Sequence, residues 1–150
     1  MKCKIQVTLE DEQGQIQVED VIRLDKNISD QDYCAGLSLQ ESKQLLKILQ
    51  GKIVLFEAQA YANTHRDCPC CHTKRRIKDC RYIQYKTLFG TVVTPSLRLY
   101  NCKCSDNREK TFNILRGWLP QHISPELQYI ETKWASYMAY EKTANNKNQN

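Results

Sequence analysis

A chain of 150 residues, 41 % hydrophobic and 26 % charged, is large enough for one ordinary globular domain or two small units sharing a limited core. No apolar run approaches the ~20 residues a spanning helix needs. The opening Met1-Lys2-Cys3-Lys4-Ile5 also lacks the apolar stretch of an export signal, so no membrane partner and a cytoplasmic location are expected. The net charge of +5 is unevenly spread: seven Lys/Arg face ten Asp/Glu in residues 1–63, twelve face four in 64–116, and three face three in 117–150. Basic charge concentrated on one segment favours a polyanionic partner over a merely solvated face. Eight cysteines without an export signal point to a metal or to free thiols sooner than to disulfides.

Taken in chain order, residues 1–36 read as a β-hairpin and a linker. Cys3, Ile5, Val7 and Leu9 alternate with Lys2, Lys4, Gln6 and Thr8, the period of a half-buried strand. A turn at Glu12-Gln13-Gly14-Gln15 leads to a second strand from Ile16 to Leu24. Residues 25–36 are polar and acidic, and Cys34 among them reads as a plain thiol.

Residues 37–66 predict a long helix. Ser38-Leu39-Gln40-Glu41 is a capping box, whose serine and glutamate satisfy free amides of the first turn. From there to about Asn63, Leu39, Ser42, Leu46, Leu49, Ile53, Phe56 and Ala60 recur at steps of three and four. That is a heptad seam, expected to pack on the chain's own second helix or, as the alternative, on another protomer. Gly51 weakens the middle of the helix without ending it.

Residues 67–116 carry the chemistry. Cys68 and Cys71 form a C-x-x-C turn stiffened by Pro69, and Cys102 and Cys104 form a C-x-C. Between them lie a β-prone stretch from Arg81 to Leu88, a turn at Phe89-Gly90, and further strands at Thr91–Thr94 and Leu97–Tyr100. A hairpin with one knuckle before it and one at its end is a zinc ribbon with four thiolates, and zinc would supply folding energy that so small a unit lacks. Cys70, Cys80 and His72 compete for a place in the ligand set. Adjacent Cys70 and Cys71 rarely both reach one ion, and Cys80, placed ahead of the first strand, is an alternative to a C-x-C member. A C-P-x-C dithiol oxidoreductase is the competing enzyme reading, weakened because the cysteines follow a helix instead of opening one. Lys74, Arg75, Arg76, Lys78, Arg81, Lys86, Arg98 and Lys103 surround the knuckles, with Tyr82, Tyr85 and Tyr100 among them, and are the expected nucleic-acid contacts.

Residues 117–143 read as connector and helix. The apolar connector starts at Thr111, with Phe112, Ile114, Leu115, Trp118 and Leu119 expected to pack. Ser124-Pro125-Glu126 starts a second helix to about residue 142, its Leu127, Ile130, Trp134 and Tyr137 or Met138 expected in the core. The Asn-rich residues 144–150 are expected to be disordered.

Four stretches taken together carry a family resemblance: Cys68-Pro-Cys-Cys71-His-Thr-Lys-Arg-Arg-Ile-Lys, Tyr85-Lys-Thr-Leu-Phe-Gly90, Pro95-Ser-Leu-Arg-Leu-Tyr-Asn-Cys-Lys-Cys104 and Pro125-Glu-Leu-Gln-Tyr-Ile-Glu-Thr-Lys-Trp-Ala135. In that order they resemble the N-terminal region of bacterial insertion-sequence DDE transposases of the Kra type. The resemblance implies a zinc ribbon and helices that bind transposon ends ahead of a ribonuclease-H-like catalytic domain. No catalytic triad carries over, because the chain passes Tyr140 into its Asn-rich tail. The expectation is thus an α+β protein (hairpin, long helix, zinc-ribbon hairpin, C-terminal helix) acting as a truncated, non-catalytic, DNA-binding transposase fragment. Alternatives are a dimerising module that modulates a full-length transposase, and an RNA-binding ribbon.

Overall fold

The computed structural model describes residues 1–27, 35–104 and 109–147, with side chains of the last helix described through Met138. Cys34 lies outside the described residues. The architecture is α+β: β1 (Lys2–Glu10), β2 (Ile16–Asp25), α1 (Leu39–Thr64), β3 (Ile77–Thr87), β4 (Gly90–Tyr100), β5 (Thr111–Asn113), a 3-10 turn (Ile114–Arg116) and α2 (Pro125–Lys147).

β1 and β2 form an antiparallel two-stranded sheet. The apolar side chains of β1 lie on its half-buried face, as the period of two requires. Ile5 pairs with Ile22 but Gln6 with Asp20, so Val21 is an extra residue at a bulge, and it is buried. Two ion pairs fasten the hairpin region to α1: Lys52 to Glu19 at 2.5 Å and Lys26 to Glu41 at 3.1 Å.

α1 begins with the expected capping box. Ser38 Oγ accepts from the Glu41 amide at 3.2 Å, and the Ser38 amide donates to Glu41 Oε2 at 2.7 Å. The helix runs through Gly51 without a break. Its buried face differs from the heptad seam: Val54, Ala58 and Ala62 are buried, whereas Leu39 and Leu46 stay exposed and Leu49, Ile53, Phe56 and Ala60 are half-buried. Size explains the shift. Ala58 and Ala62 let the helix axis approach β4 closely, and the residues beneath, Thr94, Ser96 and Leu99, reach zero exposure. Larger seam residues would hold the sheet further away.

The core therefore sits between the C-terminal half of α1, β4 and the 3-10 turn, with Ala58, Ala62, Leu99, Ile114 and Leu115 at its centre. Phe112, Ile114, Leu115, Trp118 and Leu119 do pack, and Phe112 does so from β5, a strand absent from the sequence reading. The sheet order is β3-β4-β5. β4 is continuous through Pro95, because β5 covers only Arg98–Tyr100 and leaves an open edge that tolerates the missing amide. β3 likewise begins at Ile77, so Cys80 lies within the strand, opposite Leu97, instead of ahead of it.

α2 does not lie along α1. The segment before it pairs with the end of β3: the Lys86 amide donates to the His122 carbonyl at 2.9 Å, and the Ser124 amide to the Lys86 carbonyl at 2.8 Å. Ser124 caps the helix, its Oγ accepting from the Leu127 amide at 3.2 Å. Beyond this first turn the helix projects from the body. Tyr129, Trp134, Tyr137 and Met138 are 57–65 % exposed, which corrects the expectation that Trp134 and Tyr137 or Met138 form core. α2 also extends to Lys147, so part of the tail expected to be disordered is helical.

Candidate metal centre

α1 ends with His65, whose amide caps the Tyr61 carbonyl at 3.0 Å, and three residues later Cys68 is almost fully buried. Its knuckle is a tight backbone turn: the His72 amide donates to the Cys68 carbonyl at 2.8 Å and the Cys68 amide to the Thr73 carbonyl at 3.0 Å. His72 takes a left-handed φ of 54° to close it. The second knuckle leaves β4 beside the first, because Ile77 pairs with Leu99 and the Tyr100 amide donates to the Arg76 carbonyl at 3.0 Å. Strand pairing, and not proximity in sequence, brings the two turns together.

The result is a cluster of Cys68, Cys71, Cys102 and Cys104, whose sulfurs all lie within 4.8 Å of one another. Cys68 and Cys104 Sγ are 3.4 Å apart and Cys71 and Cys102 Sγ 3.3 Å apart, too far for disulfide bonds. A tetrahedron of thiolates about 2.3 Å from a central zinc has edges of about 3.8 Å. The cluster brackets that value, so the four cysteines can hold a metal ion.

The surroundings prepare two sulfurs for deprotonation. Cys71 is lowered to about 6 by the Thr73 hydroxyl and amide and by neighbouring thiols. Cys68 is lowered by the amides of Cys71 and Cys70. Cys104 is raised, because its hydrogen bonds to Cys102, Cys68 and Cys71 hold its proton. A metal ion bound by the four sulfurs would take the place of their protons.

Cys70 and Cys80 are exposed and lie outside this cluster, as does His72. His65 stacks on Tyr61, ring centroids 3.8 Å apart, with Nδ1 3.0 Å from the Tyr61 carbonyl, and so belongs to the end of α1. No helix starts at Cys68, so the helix N-terminus that acidifies a dithiol nucleophile is not found there. Sequence reasoning passed over Thr73, although a hydroxyl two residues after a ligand cysteine is a usable signal.

The basic residues separate into two groups. Lys74, Arg76, Lys78, Arg81, Lys86 and Lys103 are exposed. Arg98 is turned to internal work: it is 3.4 Å from Asp79 and donates to Thr111 Oγ1 at 3.0 Å, with its side chain only 22 % exposed. Arg75 is half-buried, its guanidinium 4.9 Å from the centre of the Phe112 ring. With Val92, Thr94 and Ser96 buried toward α1, alternation puts Tyr82, Gln84 and Lys86 on the opposite, open face, with Tyr82 74 % exposed.

No family model, no curated protein and no solved structure matches this chain. Among the described residues, no helix is long and apolar enough to cross a membrane.

Proposed function

We propose that this chain is a zinc-ordered ribbon that binds duplex DNA. The observation that carries the reading is the setting of the four-cysteine cluster: the exposed cations Lys74, Arg76, Lys78 and Lys103 lie within seven residues of its ligands. Lys86 stands on the open face of β3, and Arg81, 3.9 Å from Asp79, stands on the other. Zinc is favoured over other metals because four thiolates at tetrahedral spacing suit it. The metal would neutralise the thiolates and fix both knuckles. The protein's own contribution is the rigid β3–β4 hairpin that spaces the cations for phosphates.

The resemblance to the N-terminal region of insertion-sequence transposases supplies a context. On that reading the chain engages transposon ends in the cytoplasm and does not itself cut or join them. Nicking of such DNA by this chain with magnesium would overturn it. The direct test is competition at fixed salt among duplex DNA, single strands and RNA, read by fluorescence anisotropy. Preference for duplex DNA supports the proposal, and preference for RNA replaces it with the RNA-binding reading.

A second reading, association of the chain with itself or with a full-length transposase, is favoured by one observation. The helix α2 exposes the large side chains Tyr129, Trp134, Tyr137 and Met138 to solvent. On this reading the surface is on α2, with the exposed Leu39 and Leu46 of the α1 seam as the alternative. Light scattering distinguishes the readings, since a monomer at high concentration counts against association.

A further inference from the structure

Beyond the knuckles, the β3–β4 hairpin continues as a ribbon two strands wide. β5 pairs only with Arg98–Tyr100, and among the described residues the outer edge of β3 carries a single bridge, Lys86 to Ile123. One face of this ribbon is closed: Ile83 and Tyr85 are half-buried, and Val92, Thr94 and Ser96 are buried. The other face is open. It consists of three cross-strand pairs, Tyr82 with Pro95, Gln84 with Val93 and Lys86 with Thr91, and all six side chains are exposed.

The charge on this ribbon suits a polyanion. Its two strands hold one acid, Asp79, which is 3.4 Å from Arg98, while the exposed Lys78 precedes the open face and Lys86 ends it on β3. The dimensions suit one groove of duplex DNA. The major groove, about 12 Å wide, admits a two-stranded ribbon, and the minor groove, about 6 Å wide, does not. Alternate residues along a strand are about 7 Å apart, or two base-pair steps of about 3.4 Å, so the three pairs span about four steps. The chemistry of the central pair suits a base edge. The Gln84 amide presents a donor beside an acceptor, the complement of N7 and N6 of adenine, and Val93 offers apolar surface to a thymine methyl. A platform for unpaired bases would instead need successive aromatic faces, and Tyr82 is the one ring among these six side chains.

We propose that the open face of the β3–β4 ribbon enters the major groove of duplex DNA and selects an A·T pair through Gln84 and Val93, with Lys78 and Lys86 on flanking phosphates. This rests on the DNA-binding reading and adds to it a choice of sequence, which phosphate contacts alone do not supply. The exposure of Tyr82 at 74 % and Val93 at 53 % then has a use, since both are covered when the ribbon is seated.

The test offers the full chain a pool of random duplexes and sequences the bound fraction. Anisotropy at fixed salt then measures the best duplex with each adenine replaced in turn by 7-deaza-adenine, which lacks the major-groove N7 acceptor and keeps the minor groove intact. The chain should select duplexes sharing an A·T pair within a window of about four base pairs. One 7-deaza-adenine there should weaken binding about tenfold, the size of a base contact. Gln84→Ala should lose the preference and become indifferent to the modified base, with its salt dependence unchanged. Lys78→Gln should weaken all duplexes alike and keep the preference. Both positions are exposed, so the variants keep their fold, which circular dichroism checks. Duplex binding without sequence preference, a preference for a pair other than A·T, or a preference that survives Gln84→Ala overturns the proposal and leaves the DNA-binding reading standing. Tighter binding of single strands, abolished by Tyr82→Ala, overturns it in favour of a stacking surface. Failure to bind any duplex overturns both readings.

Discussion

Replacing Lys78 and Lys86 together by glutamine tests which cations meet DNA. Both are exposed on β3, and neither takes part in an ion pair among the described residues. Each phosphate neutralised by a cation contributes about −0.9 to the slope of log affinity against log salt on duplex DNA. If all six exposed cations reach phosphates, the slope is about −5, and the double substitution reduces its magnitude by about 2. Arg98→Ala is the contrasting variant. It removes the partner of Asp79 and of Thr111 and costs about 1–2 kcal/mol of stability, yet it should leave the salt slope unchanged, because Arg98 is already committed within the sheet. The assay is anisotropy of a labelled duplex across a salt series, with denaturant unfolding in parallel. The reasoning is refuted if the slope survives loss of Lys78 and Lys86, or if folded Arg98→Ala reduces it.

Other outcomes follow from the same structure. Gly51→Ala lies inside α1 with nothing within 4 Å of the added Cβ, and should stabilise the chain by about 0.5–1 kcal/mol in chemical denaturation. Leu99→Ala empties the centre of the core at zero exposure and should cost about 2–5 kcal/mol, whereas Trp134→Ala on the open face of α2 should change stability by less than about 0.5 kcal/mol. Acid should loosen the β1–β2 hairpin and its junction with α1. Glu19 is lowered by its bond to Lys52, Asp20 by Lys4 and Arg23, and Glu41 by the Ser38 amide. Carboxyls lowered in the folded state stabilise it above their unfolded values of 4.5 and 3.8, and that contribution disappears as pH falls through the lower folded values. Unfolding midpoints compared at about pH 7 and pH 3 should show the loss, and equal midpoints would count against it.

The parts of this fold legible in sequence are those governed by local rules. Alternation placed β1, the capping box placed the start of α1, and cysteine spacing selected the four sulfurs that strand pairing brings together. The parts that were not legible depend on partners distant along the chain. The seam on α1 follows hydrophobicity, but burial follows the small side chains of Ala58 and Ala62, which matter only once β4 lies beneath them. β5 is three residues long and is a strand only because Leu99 and its neighbours pair with it. The direction of α2 is set by backbone bonds between Lys86 and residues 122–124, which no periodicity records. Arg98 looks like its basic neighbours in sequence, and only its register against Asp79 removes it from the surface.

The central claim is that Cys68, Cys71, Cys102 and Cys104 hold one zinc ion that orders the ribbon. X-ray absorption at the zinc edge, with elemental analysis of the purified chain, tests it most directly. The account predicts one zinc per chain with four sulfur neighbours at about 2.3 Å, lost on Cys102→Ser and unaffected by Cys70→Ser or Cys80→Ser. A metal-free chain with a folded ribbon, or a zinc shell containing nitrogen or the sulfur of Cys80, would contradict it.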